Sequence, residues 1–355
     1  MKNDALTARQ RLEFRAARLL SSLSPAAQTK LSGKPPVCID GQTLEPDLQL
    51  TISLLERQGA PPLETLSPPE AREAFRRQVS VSNGPPDSVG SVRDLEIDGA
   101  AGQLSARLYS PDESGGPHPL IVFFHGGGFV VGDLDTHDAP CRILCRHAGA
   151  HVLSVDYRLA PEHPFPAALE DGQAALQWSI EHAAGLGADP GRVAVAGDSA
   201  GGNMAAIAAW QARRDGGPAP VLQVLIYPAT DARDTRSRGL FSDGFLLNRE
   251  LLEWFTEKYA SGADPADPRL SILQAGGLAG LAPAFIVTAG FDPLRDEGEA
   301  YAGAICEEGV PVITRRFPGL VHGFCNIIGT SPASREALIE VSGATRALLA
   351  GINSL

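Results

Sequence analysis

Between Arg192 and Arg214 an apolar run, a serine framed by glycines and an alanine-rich segment follow one another without a spacer. Arg192-Val-Ala-Val-Ala196 is β-prone and apolar, as a buried parallel strand should be. Ala200 to Arg214 (AGGNMAAIAAWQARR) suits a helix, and its closing arginines suit the negative end of the helix dipole. The stretch therefore reads strand, tight turn, helix.

The alternation covers most of the chain. From about Val92, strands are expected at Val92–Glu96, Ser105–Tyr109, Leu120–Phe124, His151–Asp156, Val193–Ala196, Val221–Tyr227, Ala284–Thr288 and Val310–Arg316. The order predicts an α/β fold, a mostly parallel eight-stranded sheet flanked by helices. Ahead of it, Ala5, Ala8, Leu12, Ala16, Leu19, Leu20 and Leu23 fall on one face of a helix, and Leu48, Ile52 and Leu55 repeat the spacing. Ser67-Pro-Pro-Glu70 starts another helix, with a capping-box pair and proline at the first helical position. Between Pro228 and Pro283 the alternation breaks. A polar, arginine-rich loop there leads into Leu246–Tyr259 (LLNRELLEWFTEKY), amphipathic at helical spacing, so this segment reads as an insertion of helices above the sheet.

Composition narrows the function. A net charge of -12 argues against nucleic acid, whose phosphates want clustered Lys and Arg. No uninterrupted apolar stretch approaches the roughly 18 residues of a membrane span, so no membrane partner is expected. The first twenty residues lack the apolar block of a secretory signal and include Asp4 and Glu13, which predicts a cytoplasmic protein. Five cysteines form no CxxC pair, and Cys141 and Cys145, one helical turn apart, read as buried reduced thiols. Without zinc spacing, GxGxxG or a P-loop, no metal and no cofactor is expected.

In a chain with 38 glycines the pattern Gly197-x-Ser199-x-Gly201 says little alone, and a plain helix-start turn would also show it. Its strand-to-helix frame is what makes Ser199 a candidate nucleophile, since a sharp turn lifts the hydroxyl clear of the backbone. A hydroxyl needs a base and the base an orienting group. His322 sits in Phe317-Pro-Gly-Leu-Val-His-Gly-Phe324, a loop after the last expected strand, where ligand chemistry of open α/β sheets collects. His118 and His182 read as loop or helix-surface residues, while His147 and His151 flank a helix-to-strand turn. Asp292 directly follows the strand AFIVTAG and is the preferred orienting acid, while its rivals Asp296 and Glu297 read rather as the first turn of the next helix. Ser, Asp, His is the chain order of α/β-hydrolases. Phe123-Phe-His-Gly-Gly-Gly-Phe129 offers backbone amides to an oxyanion, with His125 bracing the loop rather than acting as base.

The segments HGGGF, GDSAGG, DPLRDEG and HGF, with Asp156-Tyr-Arg-Leu-Ala-Pro-Glu-His-Pro-Phe-Pro166, resemble the bacterial hormone-sensitive-lipase-like carboxylesterases. The resemblance runs from about Ile39 to the C-terminus. It implies an α/β-hydrolase fold with a triad of Ser199, Asp292 and His322, and an oxyanion hole from the amides of Gly127, Gly128 and Ala200, with His125 and Gly126 as loop support. It also implies a helical cap, which divides the chain into N-terminal cap helices (1–85), a first part of the core (86–228), a cap insertion (229–282) and a second part of the core (283–355).

The expected reaction is hydrolysis of small-molecule esters of short-to-medium acyl chain through an acyl-enzyme. The triad does not reveal the leaving group, so an amidase or deacetylase stays open; a non-catalytic receptor that has lost the histidine is disfavoured by His322. Phe129, Phe245, Leu246 and Trp254 are candidate substrate contacts, and Phe241, Leu247, Leu251 and Phe255 add apolar surface for a closed acyl pocket. Val310 to Arg316, placed by the resemblance as an edge strand, is a candidate dimer contact.

Overall fold

One sheet of eight strands organises the computed structural model, which describes residues 6–112, 116–264 and 267–352. The strands are β1 (Ser91–Gly99), β2 (Gly102–Ser110), β3 (His118–Phe124), β4 (His151–Val155), β5 (Ala188–Asp198), β6 (Gln223–Ile226), β7 (Ala284–Phe291) and β8 (Val312–Val321). They lie in the order β1-β2-β4-β3-β5-β6-β7-β8. β1, β2 and β4 pair antiparallel and all others parallel. The central strands β3 to β7 bury apolar side chains on both faces, one apolar layer holding Val122, Val195 and Leu225 and the other Ile121, Ala196 and Val224.

All eight expected strands are present, with shifted ends. The last runs Val312–Val321 rather than Val310–Arg316, since Pro311 precedes its first pair and the ladder continues past Pro318 through a register shift to Val321. That extension carries the chain to His322. His118, expected in a loop or on a helix surface, opens β3 instead.

Four helices precede the sheet: α1 (Ala8–Ser21), α2 (Pro25–Ser32), α3 (Pro46–Gln58) and α4 (Pro68–Asn83). The Ser67 capping box forms, its amide and hydroxyl both reaching Glu70. α4 is fastened to the segments that follow β3 and β4 by Arg72, which donates to the carbonyls of Val130 and Ala160 and to Glu162. α1 departs from expectation: Phe14 and Ser21 are buried, whereas Leu12 and Leu19 of the row read from the sequence face outward.

Residues 229–282 contain no strand among those described, as expected, but α8 (Arg236–Leu240) and α9 (Arg249–Ala260). α9 starts three residues later than Leu246 because Asn248 caps it, its side chain accepting from the Leu251 amide. α5 (Asp138–Ala148), α6 (Ala167–His182), α7 (Ala200–Asp215), α10 (Arg295–Glu307) and α11 (Pro332–Gly351) complete the layers.

Candidate active site

β5 ends at Asp198 and α7 begins at Ala200, so Ser199 makes the whole turn, at φ 56° and ψ -118°. A non-glycine residue holds positive φ only where its surroundings enforce it. Here the Ser199 amide donates to the Ile226 carbonyl at 2.9 Å, and its carbonyl accepts from Asn203 and Ala229. Small neighbours are obligatory, for a Cβ at Gly201 would collide with the Phe124 carbonyl.

Asp292 follows β7 directly and His322 follows β8, so parallel strands deliver both side chains to the end of the sheet where Ser199 stands. His322 Nε2 lies 2.9 Å from Ser199 Oγ, and Nδ1 lies 2.8 Å from Asp292 Oδ2. Asp292 is fully buried, and its Oδ1 accepts from the Leu294 amide at 2.7 Å. With Nδ1–H donated to the carboxylate, the nitrogen facing the serine carries the lone pair.

The glycine loop stands next to this row. Gly127, Gly128 and Phe129 have φ of 118°, 60° and 64°. A Cβ at Gly128 would enter the ring of Phe255. The Gly126 amide is already engaged, donating to Asp198 Oδ1 at 2.8 Å, so this residue anchors the loop, whereas Gly127, Gly128 and Ala200 line the same cavity as Ser199 and His322.

His125 faces the inside of the glycine loop rather than Ser199. It is fully buried, stacked between Tyr157 and His137 at 4.3 and 5.3 Å between ring centroids, and its Nδ1 lies 2.8 Å from the Gly126 carbonyl. Burial first, and His137 second, push its imidazole down to about 4, which keeps it neutral. The sequence reading passed over Asp198 and His137. Asp198 accepts from Gly126 and from the Tyr227 hydroxyl, and lies 3.3 Å from His137 Nε2. Burial alone would raise this carboxyl, but His137 and the Gly126 amide outweigh it and hold it below the usual range. The available signal was an acid placed at the buried end of an apolar strand, where it must find donors.

Asp296 and Glu297 do stand in the first turn of α10, yet they do more than meet its dipole. Glu297, fully buried, accepts from the Thr230 and Asp231 amides and from Arg238, and Asp296 accepts from the Ser237 amide. Together they tie residues 230–238 to the core.

A cavity of about 2630 Å³ opens over Ser199. The candidate substrate contacts divide: Phe129 and Leu246 line it, while Phe245 and Trp254 do not. Phe245 packs on Phe241 and Phe291 at 5.6 and 5.2 Å, and Trp254 belongs to the buried core. The reason is local. Because α9 starts at Arg249, residues 245–247 are a loop whose turn at Leu246 (φ 63°) sends neighbouring side chains apart. The expected closed pocket is also corrected, since the cavity runs on along α1, α3 and α4 and exceeds the roughly 300–1,000 Å³ of a usual ligand site.

An open, mostly parallel sheet with a serine at the β5–α7 turn, hydrogen-bonded through histidine to an aspartate, defines an α/β-hydrolase. Residues 121–326 match the family described by its alpha/beta hydrolase fold, and the chain belongs to it, within the bacterial hormone-sensitive-lipase-like group. It is 49% identical to the carboxylic ester hydrolase LipN of Mycobacterium tuberculosis over 343 residues, 94% of this chain and 91% of that one. It is 39% identical to an ethyl acetate hydrolase of Pseudomonas putida over 310 residues, 84% of this chain and 97% of that one. Among solved structures, an ester hydrolase from the metagenome of Lake Arreo, complexed with a derivative of bipyridine phosphonate, superposes with a TM-score of 0.83 at 40% identity, covering 86% of this chain and 98% of that one.

Proposed function

We propose that this chain is a serine carboxylesterase acting on small-molecule esters of short-to-medium acyl chain. The observation that carries the reading is the continuous hydrogen-bonded row Ser199–His322–Asp292 beside the glycine loop at one end of the cavity. The names of its relatives, ester hydrolases throughout those cited above, point the same way.

In the proposed reaction, His322 Nε2 takes the Ser199 proton as Oγ attacks the ester carbonyl. The amides of Gly127, Gly128 and Ala200 receive the oxyanion, in a place fixed beforehand by the Gly126–Asp198 hydrogen bond. The alcohol leaves with the proton from His322, and water repeats the sequence on the acyl-enzyme. Asp292 holds the imidazole tautomer. The helices before β1 and residues 229–282 serve as the cap over this chemistry. The free cysteines, with Cys141 and Cys145 buried, suit the reducing cytoplasm in which we place the protein.

Ser199→Ala and His322→Ala should each lower kcat on p-nitrophenyl butyrate by about 10⁴-fold or more, because the three groups act as a unit. An organophosphate should label Ser199 stoichiometrically. Full turnover by folded Ser199→Ala protein, or label on another residue, would refute the assignment.

A further inference from the structure

We infer that α1 is a docking element that seats the protein reversibly on an anionic lipid surface. The helix has two sides with different duties. Gln10, Phe14, Ala17 and Leu20 line the cavity that leads to Ser199, and Arg9, Arg11, Glu13 and Arg15 border it as well, leaving Arg18 outside it. On the opposite side Leu12 is 70% and Leu19 67% exposed, and Leu23, just past the helix end, is 37% exposed. Scattered surface leucines need no explanation, but two at a seven-residue spacing on one helix form a stripe.

Charge identifies what the stripe meets. Over Ala8–Ser21 stand four arginines, Arg9, Arg11, Arg15 and Arg18, against the single acid Glu13, a local net charge of +3 in a chain of net charge -12. At physiological ionic strength charges more than about 8 Å apart are largely screened, so the arginines act locally while the acidic remainder is kept away from an anionic surface. The protein would land with α1 downward. Apolar residues on one face and arginines beside them are the composition of a helix lying in a bilayer interface, the leucines entering the acyl boundary and guanidinium groups meeting lipid phosphates. A second copy fits less well, because a two-fold contact would set the same arginines against each other. The expectation of no membrane partner rested on the lack of a spanning segment. No helix among the described residues is long and apolar enough to cross a membrane, and a surface helix needs no such length.

The test is co-sedimentation of the full chain with unilamellar vesicles. Binding to phosphatidylglycerol vesicles is expected at low salt, with little to phosphatidylcholine vesicles and release at about 1 M salt. Leu12→Ser/Leu19→Ser should weaken vesicle binding about tenfold or more, with p-nitrophenyl butyrate turnover retained as the sign of an intact fold. Arg15→Glu/Arg18→Glu should act likewise. Equal binding to both lipids, no binding, unchanged binding by the double-serine variant, or Leu19→Cys crosslinking two copies through α1 in solution would overturn the proposal. The vesicle measurement stands apart from the esterase reading, since it is scored by partition even if the ester is not turned over.

Discussion

An imidazole buried beside a second imidazole pays for protonation twice, in lost hydration and in repulsion, and His125 is in that position. Its folded-state pKa, about 4, lies below the ordinary value near 6.5, so the unfolded chain binds more protons between these limits. The sign follows: the contribution is complete above pH 6.5 and is lost as pH falls toward 4, on the order of 3 kcal/mol in all. Denaturation followed from pH 7 to pH 4 should show that slope, and His125→Asn, less stable at pH 7, should be flatter across the same window. An unchanged slope would place the titrating group elsewhere. His125 was legible in the sequence as a loop residue next to three glycines, and Ser199, Asp292 and His322 were legible because each stands just beyond an apolar strand. Asp198 and His137 were not. They are 61 positions apart, and only the packing of α5 against the sheet brings the imidazole to the carboxylate.

Elements were easiest to read where burial is two-sided. Leu120–Phe124 of β3 and Ala284–Val287 of β7 are apolar runs that suit a covered strand, whereas β8 mixes in polar residues and contains Pro318, so its end was set too early. The same limit applies to α9 and α1. A pattern of apolar residues says that a helix has a stripe, but a cap such as Asn248 decides where it starts, and neighbouring helices decide which side is covered. This matters for specificity, because α9 carries Phe255 across the glycine loop, where its ring occupies the space a Gly128 side chain would need. Phe255→Ala should open the acyl side of the cavity. With each additional buried CH₂ worth about 0.8 kcal/mol, room for about two of the extra CH₂ groups should raise the ratio of kcat/KM for p-nitrophenyl octanoate over butyrate about tenfold, at little change for the acetate. An unaltered ratio would mean that the acyl chain runs along another wall, toward α3 and α4.

At the scale of the whole molecule, β8 is the last strand of the sheet among the described residues. β8 pairs with β7 on one side, and on the other the Glu45 amide reaches only its far end, at the Gly319 carbonyl. Among the described residues no strand other than β7 pairs along Val312–Phe317, and Ile313 there is half exposed. Free cations on an edge strand deter pairing, and Arg315 and Arg316 could fill that role. Both are instead committed to acids of the same chain, Arg315 to Glu340 on α11 and Arg316 to Glu299 on α10. Neutralised in this way they leave the edge free to pair, and we propose that two copies join β8 to β8 antiparallel about a two-fold axis, extending one sheet into the other. Light scattering at micromolar concentration should give twice the 37.3 kDa chain mass. Ile313→Lys should yield monomers that keep full turnover, since a lysine there faces its own copy across the axis and like charges opposite one another destabilise a strand pair. A monomeric mass for the unaltered chain, or a dimer that survives Ile313→Lys and Thr314→Pro together, would show that the edge is closed by other means.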